Sequence, residues 1–209
     1  MMKINNCEQG EKEWQDARLC KISGTRLASA IGTSAKQESL INELIAERLT
    51  NVSKENYINL AMAKGSEAEE YAIEEYELKT GEITEEVGLC INDEFEWLVN
   101  SPDRLIKRDG KYKKAVEVKC PNTDTLVGYV RKGGIPKDYL PQVMSYFLVN
   151  EDLEELDFVI YDPRIDTDQY RLVITNVKRK DLPLEKTKEQ VLIFYAKYTA
   201  ELKNLNLEL

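Results

Sequence analysis

The sequence predicts an α+β, or mixed α/β, fold with a central mixed sheet flanked by helices, and three observations predict it. Helical periodicity runs through roughly the first eighty residues, alternating β-branched segments follow, and an amphipathic helix closes the chain.

Taken in order, the elements follow from local chemistry. EKEWQDARL reads as a short helix, Ser23 is an N-cap signal before TRLASAIG, and a break near Gly32 precedes the helical SLINELIAERL. A long helical pattern runs from about Lys54 to Lys79 and stops at Thr80-Gly81. Strands are expected around EEVGLCIN, EWLVNSPDRLI and YKKAVEVKC, separated by turn residues. TDTLVGYV and the stretch Asp138 to Val149 read as helices, the second with Pro141 in its first turn. LDFVIYDP and YRLVITNV are two further strands, and Leu184 to Leu205 forms the closing helix. No repeat or linker divides the 209 residues, so one domain spanning 1–209 is expected.

Composition narrows the chemistry. The chain has no histidine, which removes Ser-His-Asp and Cys-His nucleophile systems and histidine-ligated zinc. Acid-base or metal work then falls to carboxylates, Lys, Tyr or Cys, and hard carboxylate oxygens imply Mg or Mn. Cys7, Cys20, Cys90 and Cys120 are scattered without a CxxC pair, as reduced intracellular thiols are. No apolar run is long enough for a membrane span and the first residues lack the apolar core of a secretory signal, so a cytoplasmic protein with no membrane partner is expected. The net charge is −9, yet residues 104–137 carry ten Lys/Arg against Asp109, Glu117 and Asp124. A basic segment on an acidic body suits a focused phosphate-binding channel, or else a solvated lysine face.

The stretch SPDRLIKRDGKYKKAVEVKCP concentrates the chemistry. Alternation sends Val116 and Val118 to one face and Glu117 and Lys119 to the other. A two-residue Asp109-Gly110 loop pairs Arg108 with Lys111 and sets Asp103 opposite Val116. A three-residue loop, Asp109-Gly110-Lys111, pairs Arg108 with Tyr112 and sets Asp103 across from Glu117. The three-residue register, or a bulge of the same effect, is expected. Two carboxylates about 5 Å apart repel unless a cation lies between them. A divalent metal held by Asp103 and Glu117 resolves that repulsion, and Lys119 can orient its water.

Helix phase selects a third carboxylate. Gly65, Ala72 and Tyr76 share one side of the long helix, and Glu69 lies on that stripe, whereas Glu70, Glu74 and Glu77 share a polar face. Glu69 is therefore the glutamate expected to look inward.

Pro102-Asp103 with Glu117-Val118-Lys119 resembles the signature of the PD-(D/E)XK nucleases. Ordered blocks extend the resemblance from about Trp14 to Val177: Glu13-Trp14 to Arg18-Leu19 with Ile22-Ser23, Gly65 with Glu69, Ser101-Pro102-Asp103, Glu117 to Pro121, Gln142-Val143, and Tyr161 to Arg164. Together they are similar to the bacteriophage lambda-type exonuclease, or YqaJ-like viral recombinase, branch. That resemblance implies a single nuclease domain with a PD-(D/E)XK core, acting as a 5′-to-3′ exonuclease on one strand of duplex DNA from its ends, with Mg as cofactor and Mn as substitute. It implies Asp103 and Glu117 as metal ligands, Lys119 as the water-orienting lysine, and Glu69 and Gln142 as further members of the catalytic set. Arg18, Ser101 and Thr25 are implied to hold the terminal 5′-phosphate, where a guanidinium clamps bidentately. A further phosphate-binding arginine expected just after the Cys-Pro is Thr125 here. On its own residues Arg18 could instead be a surface ion pair with Glu13 or Asp16. The family further implies a homotrimer ring around DNA, a single-strand annealing protein as partner, and a phage or prophage origin in a bacterial cytoplasm.

Two alternatives stand beside it. One is an endonuclease on the same fold, and the other a DNA-binding recombination scaffold without catalysis, which would be expected to have a broken metal set. An iron–sulfur nuclease would need grouped cysteines.

Overall fold

Two sheets organise the chain in the computed structural model, which describes residues 2–53 and 60–208, without the side chains of residues 60–67. The small sheet joins β1 (Lys3–Asn5), β2 (Leu89–Ile91) and β3 (Val99–Asn100), all antiparallel. Sequence alternation does not reveal β1, because three residues cannot establish a period. Gly88 lets that sheet close: a Cβ there would lie 2.2 Å from the Cys7 carbonyl oxygen and 2.4 Å from that of Asn5.

The main sheet has the order β4 (Arg104–Arg108), β5 (Lys111–Lys119), β6 (Glu155–Tyr161), β7 (Leu172–Lys178). β5 and β6 run parallel and the outer pairs antiparallel, so the expected mixed sheet is present. The predicted strand EWLVNSPDRLI divides between the two sheets. Residues 101–103 interrupt it, and Pro102 has no N–H to continue a ladder. Asp103 therefore sits at a break in the chain rather than mid-strand.

The hairpin corrects the expected loop. Arg108 pairs with Lys111 across a two-residue Asp109-Gly110 turn, both turn residues having positive φ (53° and 77°). Lys107 then faces Tyr112 but Ile106 faces Lys114, leaving Lys113 as an extra, bulged residue. Its carbonyl accepts the Glu154 N–H at 2.8 Å. Beyond the bulge Arg104 faces Val116, so Asp103, the residue before β4, comes level with Glu117 and its carboxylate takes the neighbouring Val118 N–H. The effect is the expected one, reached by a bulge rather than a longer loop.

Helices α1 (Lys12–Arg18), α2 (Gly24–Ala30), α3 (Ser34–Thr50), α4 (Leu60–Thr80), α5 (Thr123–Lys132), α6 (Leu140–Val149), α7 (Asp168–Arg171) and α8 (Leu184–Asn204) cover the sheets. The predicted helix start at Lys54 and the surroundings of Gly65 lie outside the described residues. Pro141 stands in the first turn of α6, as expected. Ser23 is the N-cap of α2, but its hydroxyl bonds the Thr25 hydroxyl (3.0 Å) rather than a backbone N–H.

Each face of the main sheet has its own core. Ala72, Ile73 and Tyr76 of α4 pack on Ile106, Val116 and Val118. Leu27, Val143, Phe147 and Phe194 pack with Phe158 and Ile160 on the other face. Each large side chain so buried contributes about 1.5–3 kcal/mol. A buried polar knot fixes α4: the Tyr76 hydroxyl donates to Asp157 Oδ2 (2.7 Å), which also takes the Lys114 ammonium (2.7 Å), while Asn176 donates to Oδ1 (2.7 Å). Asp157 is thus buried and satisfied on both oxygens.

The basic segment is largely neutralised. Arg104 pairs with Glu70, Lys107 with Glu85, Arg108 with Glu82 and Glu155, Lys111 with Asp152, Lys113 with Glu154, and Lys114 with Glu82 and Asp157. Arg131, Lys132 and Lys137 are exposed and form no salt bridge among the described residues. The channel-like charge expected of residues 104–137 accordingly contracts to the end of α5 and the loop after it. All four cysteines are free thiols.

Candidate active site

Glu117 enters the site from near the carboxyl end of β5 and is 1 % exposed. Because its neighbours Val116 and Val118 take the α4 side, alternation turns Glu117 toward α6. There Oε1 accepts the Gln142 amide at 2.6 Å and the Lys119 ammonium, and Oε2 accepts the Tyr146 hydroxyl. Asp103, half-buried across the hairpin, accepts the Val118 backbone N–H at 2.7 Å through Oδ2. Lys119, last residue of β5, keeps its side chain 23 % exposed, with the ammonium 5.6 Å from the Tyr139 ring centre. Asp103, Glu117, Lys119 and Gln142 thus meet at the carboxyl end of a parallel strand, where open α/β sheets place their ligands.

Glu69 approaches from α4. Ala72 and Tyr76 on its stripe are fully buried, as the helix phase predicts, and Glu70 points outward to Arg104. Burial raises the Glu69 carboxyl above its usual value; the Lys119 charge opposes that shift and Glu117 adds to it, so Glu69 shares their field.

The electrostatics describe an acidic centre with too few cations. Burial, and then the Glu117 charge, push Asp103 well above the usual carboxylate range, against Lys119 and the Val118 N–H. Burial alone would lower the Lys119 ammonium, but Glu117 and Asp103 outweigh it and hold it well above the usual lysine value. Burial followed by the Glu117 and Asp103 charges raises the Tyr146 phenol, which remains an O–H donor. Cys120 next to Lys119 is pushed up to about 12 by burial and by Glu69 and Asp103, so it is no thiolate nucleophile.

Among the described residues no three Asp, Glu or Cys side chains are arranged to hold an ion by themselves. What converges instead is a pair of carboxylates, Asp103 and Glu117, with Glu69 near and Lys119 as the local counter-charge. One or two carboxylates with the remaining positions left to water suit Mg, and the surplus negative charge fits a divalent cation.

A second cluster adjoins the first through the residues before Asp103. The Ser101 hydroxyl accepts the Trp14 indole N–H (2.8 Å) and an Arg18 N–H (3.2 Å), and the Arg18 guanidinium stacks 4.0 Å over the Trp14 ring. Arg18 is 9 % exposed, so the surface ion pair is replaced by a buried, stacked guanidinium. Thr25 lies in the first turn of α2, hydrogen-bonded to Ser23. Gly24 beside it packs so closely on α6 that a Cβ would come within 2.8 Å of Ser145 Oγ and 3.3 Å of Gln142 Cγ.

Sequence reasoning missed Tyr146 and Trp14 as site partners. Tyr146 follows Gln142 by four residues in a helix, the spacing that places two side chains on one face. Trp14 stands in the first block of the resemblance and four residues before Arg18, the helical spacing that lets its ring meet the guanidinium.

Fold and site together define the class: a mixed sheet with an Asp and a Glu-x-Lys on one face is the PD-(D/E)XK type. Within that class, residues 13–152 match the YqaJ-like viral recombinase domain, and the chain belongs to that family. The structure is similar to that of an alkaline exonuclease, LHK-Exo, from Laribacter hongkongensis, with a TM-score of 0.84 and 32% identity over 94% of this chain and 96% of that one. The same protein in complex with dAMP matches at a TM-score of 0.83 and 31% identity over 93% and 96%. A phage related exonuclease from Haemophilus somnus 129PT shares the fold at a TM-score of 0.60 and 20% identity, covering 88% and 96%. No curated protein matches. No helix among the described residues is long and apolar enough to cross a membrane.

Proposed function

We propose that this chain is a Mg-dependent deoxyribonuclease that degrades one strand of linear double-stranded DNA 5′ to 3′ from its ends, leaving 3′ single-stranded tails for phage-type recombination. The observation that carries the proposal is the register of the bulged hairpin, which sets Asp103 across from Glu117 with Lys119 on the same face. Its support beyond the site is the 32% identity to an alkaline exonuclease over nearly the whole chain.

Asp103 and Glu117 would hold the metal, Mg or Mn, which when bound supplies Lewis-acid polarisation of a phosphoryl oxygen and a more acidic water. Lys119, partly exposed beside Glu117, orients the attacking water and meets the negative charge that develops on the phosphate. Gln142 holds Glu117 in place, and Glu69 adds a carboxylate acting as base or through water. Arg18 and Ser101, already joined, with Thr25 on the neighbouring helix, would receive the terminal 5′-phosphate. In this reading residues 1–209 form one nuclease domain that works as a homotrimer ring on duplex ends. It passes its product to a single-strand annealing protein in the cytoplasm of a bacterial host.

Digestion of linear against covalently closed circular duplex, with Mg and with strand-specific end labels, tests the proposal. Loss of the 5′ label from linear DNA alone is expected. Cleavage of closed circles would establish an endonuclease, and inactivity on both a binding scaffold.

A further inference from the structure

Glu117 has more donors than a metal-binding carboxylate needs. An ionised carboxylate offers about four lone-pair directions. On Oε1 both are used, by the Lys119 ammonium and the Gln142 amide, and on Oε2 one is used, by the Tyr146 hydroxyl. Among the described residues no second donor reaches Oε2, which leaves one of its directions for a cation. We propose that Tyr146 is a positioning residue that locks Glu117 so that it offers a cation one lone pair, on Oε2, in a fixed orientation. This rests on the assignment of Glu117 as a metal ligand made above.

The surroundings of Tyr146 fit such a role. Its side chain is 3 % exposed, in a helix buried from Val143 to Val149, so the hydroxyl has little freedom to leave. Gln142 and Tyr146 stand one turn apart on α6 and grip different oxygens of one carboxylate, which fixes the plane of the carboxylate as well as its position. Partners of this kind orient the groups that bind a metal, and their loss costs roughly 10–100-fold in affinity or activity.

The test measures Mn binding to the metal-free protein by the electron paramagnetic resonance of free Mn, without DNA. Tyr146→Phe keeps the ring and removes the donor; roughly 10–100-fold weaker Mn binding is expected, with turnover on linear duplex restored largely by raising Mn. Tyr146→difluorotyrosine keeps the shape and strengthens the donor, and should bind Mn at least as tightly as the wild type, which covers the case in which the Phe variant does not fold. Unchanged Mn affinity in Tyr146→Phe, or weakened affinity in the difluorotyrosine protein, would overturn the inference. Glu117→Ala separates the two levels. If the wild type binds Mn no better than Glu117→Ala, the metal assignment falls and the role of Tyr146 with it. If Glu117→Ala loses Mn and Tyr146→Phe does not, only the role of Tyr146 falls.

Discussion

Replacing Asp103 with Asn should stabilise the metal-free protein while destroying its activity. Facing carboxylates about 5 Å apart repel by about 3 kcal/mol at an effective dielectric constant of about 20. The variant also loses attraction to Lys119, and its bond from the Val118 N–H weakens by about 1 kcal/mol when the acceptor becomes neutral. The weakened bond leaves about 2 kcal/mol and the lost Lys119 attraction lowers it further, so the net gain is at most about 2 kcal/mol, or up to about 8 °C in melting temperature for a chain of this size. The sign follows from Asp103 itself. Its carboxyl is raised, so the folded protein tolerates the protonated form best, and the penalty grows as pH climbs above the ordinary aspartate value. Asn escapes that penalty at neutral pH and loses its advantage in acid. Mg should reverse the order, because ligand at about 100 times its Kd adds about 2.7 kcal/mol to the wild type alone. Thermal melts in chelator and in Mg, at neutral and acidic pH, read all of this. A variant that melts below wild type in chelator, or gains equally from Mg, would refute the charge-repulsion account of the site.

Further outcomes follow from other parts of the molecule. Lys119→Ala should lose at least about 100-fold in turnover and keep metal-supported DNA binding, as read by digestion and filter binding side by side. Tyr76→Phe removes a buried donor to Asp157 and should cost about 1–3 kcal/mol in urea unfolding. Gly88→Ala forces a Cβ against two backbone carbonyls and should destabilise by about 1–3 kcal/mol or more, with lost protection of the β1 and β2 amides in hydrogen exchange. Asp162 is held at about 2 chiefly by Arg164, so its stabilising effect is present above the ordinary aspartate value and lost as pH falls toward 2. The stability difference between wild type and Asp162→Asn should therefore shrink across that interval in acid unfolding curves.

The strands that carry chemistry were legible because local alternation decides them. Ala115 to Lys119 alternate in sequence, and the fold keeps that order, with the valines against α4 and Glu117 toward α6. Glu69 was legible for a similar reason, since helix phase survives into the packed structure through Ala72 and Tyr76. The length of the hairpin loop was not legible. The bulge at Lys113 answers to the N–H of Glu154, forty-one residues away, and no local pattern announces such a partner. Charge misled in the same manner. The hairpin cations look like a surplus along the chain, yet their counter-ions, Glu82, Glu85, Asp152, Glu154 and Glu155, arrive from neighbouring segments on folding. Tyr146 went unseen because a tyrosine in an apolar helix ordinarily reads as core, and only the position of Glu117 gives its hydroxyl a purpose.

The extra residue at Lys113 has a consequence for how this hairpin can vary. Pairing resumes beyond it with Ile106 opposite Lys114, so excising Lys113 would leave Arg108 facing Lys111 at one end and Asp103 facing Glu117 at the other. The bulge behaves as an absorbed insertion, a slack link between a tip and a working end that need not keep step. Single-residue length changes near the tip can then be tolerated at the modest cost of the Glu154 contacts, while the carboxylates stay in line.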